Sequence, residues 1–206
     1  MAYTATNWVE GVTTLGPTNM NKIETELVYL DTRIPPAALG YGTTLPGSPV
    51  DGQEYVLVDS TTNPTYQWRF RYNAGSTSTY KWESAGGTPA QVSDGTSQTV
   101  PSGSWGVWST PVFTAPRAGE YLVTVTQQLF GSAAMQMYFG VSIGGATPSA
   151  MVGGAFVGAN IEALWVLPNQ IATLTSGQTL QTGSYAGATG GQSRQKALYI
   201  WPKRIS

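Results

Sequence analysis

From residue 88 to residue 206 the apolar residues never repeat at helical spacing; they alternate in short runs broken by Gly-rich turns. Frequent short strands with turn signals between them predict a β-sandwich or jelly roll and exclude a helical bundle for this stretch. The best candidate strands cover 105–113, 120–130, 135–143, 161–167, 171–174 and 197–205. Gly144-Gly145, Gly153-Gly154 and the segment 182–192 read as loops, the last the most exposed of them.

The chain contains neither His nor Cys. That removes the Ser-His-Asp triad, thiol nucleophiles, His/Cys zinc sites, axial-His haem and Cys-ligated clusters. Paired carboxylates are the one catalytic option left, as in glycoside hydrolysis. Of the 11 acids, Glu120 at the mouth of a strand and Glu162 within an apolar strand are the candidates, each without a partner in sequence. The glycines add no cofactor motif. Gly153-Gly154-Ala155-Phe156-Val157-Gly158 lacks both the spacing and the following helix of a dinucleotide site, no Gly-Lys-Ser/Thr phosphate loop occurs, and Asp94-Gly95 lacks the companion carboxylates of a calcium loop. The expectation is no enzyme activity, no cofactor and no metal.

Net charge is −1, with only 10% of residues charged, which leaves no electrostatic footprint for nucleic acid or an anionic membrane. No run approaches the roughly 20 apolar residues of a membrane span, and Met1 to Trp8 carry no basic or apolar signal, so synthesis in a reducing cytoplasm is expected. In Asn63-Pro64-Thr65 the central Pro blocks glycosylation. Residues 88–206 hold three acids and five bases in 119 positions. So uncharged a β domain is expected to hide part of its wall against copies of itself.

The convincing helical pattern lies near the start. Pro17 suits a first helical position, Pro35-Pro36 closes the segment, and Met20, Ile23, Leu27, Leu30 and Ile34 recur at spacings of three and four. This is a coiled-coil-like seam flanked by Glu24, Glu26 and Asp31. So short a helix is marginal alone, so the seam needs a partner: either the chain's own β domain or the same helix from other chains.

Residues 45–87 read as a small antiparallel meander with strands at 53–58, 66–72 and 79–83. Tyr66, Trp68, Phe70 and Tyr72 share one face; Gln67, Arg69 and Arg71 share the other. The aromatic stripe, with Tyr80 and Trp82 beside it, is either the core of a small domain or a platform on which sugars stack. The predicted fold is therefore mainly β in three parts: an arm and helix over 1–44, a meander over 45–87 and a sandwich or jelly roll over 88–206.

Trp8, Gly11-Val12-Thr13 and Asn19-Met20-Asn21-Lys22-Ile23-Glu24 resemble the N-termini of bacteriophage tail-fibre and minor tail proteins. The meander, from Leu45-Pro46-Gly47-Ser48-Pro49 to Tyr80-Lys81-Trp82-Glu83, is similar to a module such proteins carry. Phe113-Thr114-Ala115-Pro116-Arg117-Ala118-Gly119-Glu120-Tyr121 resembles jelly rolls of the tumour-necrosis-factor and complement type, which assemble as trimers. The resemblance implies a virion appendage. Tyr3 and Trp8 would dock on the particle, Met20, Ile23, Leu27, Leu30 and Ile34 would join a homotrimer, and the head would project outward, with loops 144–158 and 182–192 available to a host cell-surface glycan. A head fibre or capsid decoration protein is the alternative implied by the same plan.

Overall fold

Strand pairing in the C-terminal part follows one nested rule. β5 (Ala90–Asp94) and β6 (Gln98–Thr99) pair with β13 (Gly191–Ile205), β7 (Trp105–Thr114) with β12 (Thr179–Ala186), β8 (Gly119–Gly131) with β11 (Ile161–Leu174), and β9 (Met135–Ile143) with β10 (Val152–Val157). All of these pairs are antiparallel, so the chain behaves as one long hairpin, outermost strands together and innermost strands together. Rolling that hairpin adds the pairs β13–β8 and β12–β9 and yields two facing sheets. That winding is a jelly roll. The computed structural model describes residues 39–148 and 152–206, of which Leu39–Ser206 form one compact unit.

The first sheet runs β1 (Gly40–Gly42), β2 (Glu54–Val58), β3 (Gln67–Tyr72), β4 (Trp82–Thr88), β13, β8, β11; the second runs β10, β9, β12, β7. β4 meets β13 through Glu83 opposite Arg204 and Trp82 opposite Ile205. The meander thus continues the first sheet of the jelly roll, and β4 runs across the expected division at residue 87/88. Its aromatic stripe is core. Tyr66, Trp68, Phe70 and Trp82 are buried, and the Trp68 ring lies 6.2 Å from Tyr121 and 6.4 Å from Phe113 of the jelly roll. The sugar-platform alternative for these rings is excluded by their burial.

The period-2 rule is cleanest in β8, where Tyr121, Val123, Val125, Gln127 and Leu129 point inward and every intervening residue is half-exposed. One polar cluster crosses the interior. Gln127 Nε2 donates to Ser184 Oγ and Ser193 Oγ, and Trp108 Nε1 donates to Ser184 Oγ at 3.0 Å, tying β8, β13, β12 and β7 together.

The sequence pattern and the structure differ in several further places, beginning with β1, β5 and β6, which the pattern did not mark as strands. The strands expected at 161–167 and 171–174 are one strand, β11, interrupted by a bulge between Leu167 and Gln170, where Asn169 takes φ 52°. Gly153-Gly154, expected in a loop, lie within β10. Segment 182–192, expected as a long loop, belongs mostly to β12 and β13, leaving only 187–190 between them. The inward residues of β12, Leu180, Thr182, Ser184 and Ala186, are buried but mostly small or hydroxylic, so they carry almost no alternation in hydrophobicity. The third meander strand starts at Trp82 rather than near 79, because Ser76 and Ser78 hydroxyls accept from the backbone N–H groups of Ser78 and Tyr80 and hold a turn there. There is no helix among the described residues; the predicted helix, its seam Met20, Ile23, Leu27, Leu30 and Ile34, and the docking residues Tyr3 and Trp8 lie outside them.

Candidate functional site

The two carboxylates singled out from sequence each hold a base of β13. Glu120 pairs with Lys203 at 3.3 Å, and Glu162 pairs with Arg194 while accepting from Gln128 Nε2 at 3.0 Å. Arg194 also lies over the Phe130 ring, 4.4 Å from its centroid. Glu120–Lys203 ties the adjacent β8 and β13, and Glu162–Arg194 reaches across β8 from β11 to β13.

Between these pairs the outer face of the first sheet carries aliphatic side chains on β11 beside Thr126 and Gln128 of β8. On β11, Leu164, Val166 and Ile171 are 66%, 52% and 55% exposed, and the register sets Ile171 beside Leu122, with Leu122 opposite Trp201 on β13. Tyr199 stands opposite Thr124 in the same plane of outward residues. β11 is also, among the described residues, a 14-residue edge strand, so one of its backbone edges lies beside its aliphatic side chains.

A cleft of about 430 Å³ opens on this face, lined by Gln91, Ser93, Asp94, Leu164, Gln195 and Tyr199 among others. Its charges are consumed internally. Lys196, fully buried, donates to Thr96 O at 2.7 Å and Arg194 O at 3.0 Å and pairs with Asp94 at 3.2 Å. Asp94 also accepts from Thr96 N at 2.9 Å and Thr110 Oγ1 at 2.9 Å. The Thr96 backbone N–H, then the Thr96 and Thr110 hydroxyls and Lys196, hold the Asp94 carboxyl far below the usual carboxylate range against the opposing effect of burial. This is a structural strut, not a free acid. A second cleft of about 210 Å³ in the meander holds Asp51, Arg71, Asn73 and Glu83. The Asn73 side-chain amide, ahead of Ser76, Arg204 and Arg71, keeps Glu83 below its ordinary pKa despite some desolvation.

The second sheet differs in kind. β7, β9, β10 and β12 contain no Asp, Glu, Lys or Arg, so every charged residue in the strands of residues 88–206 belongs to the first sheet. Across the outer face of the second sheet the register sets Trp105, Tyr185, Tyr138 and Gly154 in one row over four strands. Ring centroids are 6.1 Å apart for Trp105–Tyr185 and 5.7 Å for Tyr185–Tyr138. The three rings are half-buried, whereas Phe156, beside the exposed Gln136 on the next rung, is 71% exposed. Two glycines make the room: a Cβ at Gly154 would sit 2.5 Å from the Tyr138 ring, and one at Gly183 would sit 2.8 Å from Pro148. No single strand carries this row, so residue order gives no sign of it. Loop 144–158, expected to offer binding groups, contributes β10 to the same sheet.

No family model and no curated protein matches the chain. Solved structures with a similar course include the globular domain of zebrafish complement 1qA, at 11% identity and TM-score 0.43, covering 58% of this chain and 99% of that one. Others are a carbohydrate-binding module of Cellvibrio mixtus lichenase 5A solved with cellotriose, at 17% identity and TM-score 0.30 over 55% of this chain and 96% of that one, and the CBM36-1 domain of a xylanase from a Trinervitermes trinervoides hindgut metagenome, at 13% identity and TM-score 0.32 over 57% and 99%. The nested strand pairing itself defines the jelly roll.

Proposed function

We propose that the chain is a non-enzymatic, homotrimeric appendage of a bacteriophage particle, of tail-fibre or minor-tail type, with the jelly roll as its recognition head. On this reading it is made in the host cytoplasm and resides on the virion. Residues 1–44 attach it through Tyr3 and Trp8 and gather the copies through Met20, Ile23, Leu27, Leu30 and Ile34. The observation that carries the assembly is the outer face of β8, β11 and β13. Exposed aliphatic residues along a strand that is an edge among the described residues, flanked by acids and bases already paired within the chain, suit burial against a second copy. The number three and the viral setting rest on the sequence resemblance. The role as a binding rather than catalytic head is supported by Glu120, Glu162 and Asp94 all being engaged as struts.

Sedimentation tests the assembly. The chain is expected to run as a trimer, and Leu164→Asp or Val166→Asp, which replace exposed side chains and so spare folding, should release single chains. A wild-type protein that sediments as a monomer at micromolar concentration overturns it. Immunogold labelling of purified particles tests the setting: label at the tail is expected, and its absence from particles overturns the reading.

A further inference from the structure

We infer that the outer face of the second sheet, centred on Trp105, Tyr185 and Tyr138, is a binding site for a neutral polysaccharide. The inference rests on reading the chain as a recognition head and names the ligand class of that head. Three observations carry it: a row of aromatic rings built across three strands, strands free of acids and bases, and glycines that let Tyr138 and Pro148 pack down against the sheet.

Consider first what the absence of charge excludes. Nucleic acids, phosphate-bearing polymers and uronic or sialic acid chains need Arg or Lys to hold their anions, and this sheet holds neither. A second copy of this chain is better served by the aliphatic face of the first sheet, where Leu164, Val166 and Ile171 cluster. What the second sheet offers instead is aromatic surface with a polar edge. Trp and Tyr present a ring face to apolar C–H groups and an N–H or O–H to a hydroxyl, and the exposed Gln136 amide adds one donor and one acceptor function beside them. A hexopyranose has that same duality: a C–H face for stacking and hydroxyls around its rim. The rings are inclined to one another, by 51° for Trp105–Tyr185 and 62° for Tyr185–Tyr138, so the row offers ring faces and ring edges in alternation rather than one flat platform.

The local sequence explains why the row survives on a surface. Gly154 stands where the register would otherwise place a side chain against Tyr138, and its added Cβ would overlap that ring. Gly183 lets Pro148 pack down beside the row on the rung below. With the sheet backbone beneath them, the rings are held in place before a ligand arrives, which lowers the ordering cost of binding.

Affinity electrophoresis of the full chain through gels containing dextran, yeast mannan, β-1,4-galactan or hydroxyethyl cellulose tests the inference, with alginate as the acidic comparison. At least one neutral polymer is expected to retard the protein, with retardation little changed between low and 0.5 M salt. Trp105→Ala is expected to weaken it by about tenfold. Phe156→Ala, at a residue too exposed to matter for folding, should weaken it measurably and guards against a Trp105 variant that fails to fold. No retardation by any neutral polymer, retardation by alginate alone, or retardation unchanged in both variants overturns the site. Failure here leaves Leu164→Asp dissociation and particle labelling untouched, so it is distinguishable from failure of the appendage reading.

Discussion

Lys196 and Asp94 set the terms at which single side chains matter in this protein. The ammonium is out of water and has three acceptors, Thr96 O, Arg194 O and the Asp94 carboxylate. Asp94→Asn strands a buried charge and is expected to cost about 3 kcal/mol in chemical denaturation. The pH dependence has a definite sign. The folded-state pKa of Asp94 lies below its unfolded value, so its stabilisation is fully present above about pH 4 and is lost as pH falls through that range towards the folded value. Wild type should therefore lose stability on acidification more steeply than Asp94→Asn, and equal slopes would contradict the assignment. Burial, with Asp59 nearby, pushes the Tyr66 pKa up to about 12, so ultraviolet titration should find this phenol ionising above the ordinary tyrosine value, and its loss in Tyr66→Phe checks the assignment. In the interior, Ser184 accepts from both Trp108 and Gln127, and Ser184→Ala leaves two donors without that partner; a loss of about 2 kcal/mol in urea unfolding is expected.

β3 and β12 show how far a strand's sequence reveals its position. In β3 the alternation Gln67-Trp68-Arg69-Phe70-Arg71-Tyr72 announces both the strand and its inner face, and Trp68 and Phe70 are buried as the alternation demands. Its role as a joint was not legible, because the rings that receive Trp68, Phe113 and Tyr121, lie more than forty residues onward. Trp68→Ala should cost about 3–5 kcal/mol and lower a single unfolding transition shared by meander and jelly roll. Two separate transitions in calorimetry would show that β4 and β13 do not couple them. β12 lies at the other extreme. Thr179–Ala186 buries Leu180, Thr182, Ser184 and Ala186, yet Thr, Ser and Ala contrast too little with their neighbours for a period of two to show. The carboxylates Glu120 and Glu162 were visible as candidates, but only pairing across strands assigned them to Lys203 and Arg194.

The molecule as a whole divides its surface chemistry by sheet: ion pairs and exposed aliphatic residues on the first, aromatic rings without charge on the second. If the first sheet faces the trimer axis, the second faces outward, so a trimer should still bind neutral polysaccharide and should show three equivalent sites by titration calorimetry. Residue order alone determined that residues 88–206 are all β, that His and Cys chemistry is absent, and that the meander has one aromatic face, because each of these follows from composition or from a local period of two. Strand order, the division of charge between sheets and the row Trp105–Tyr185–Tyr138 came only with the tertiary structure. A period of two says which residues share a side of a strand, but backbone hydrogen bonds between strands far apart in sequence decide which sides become one surface.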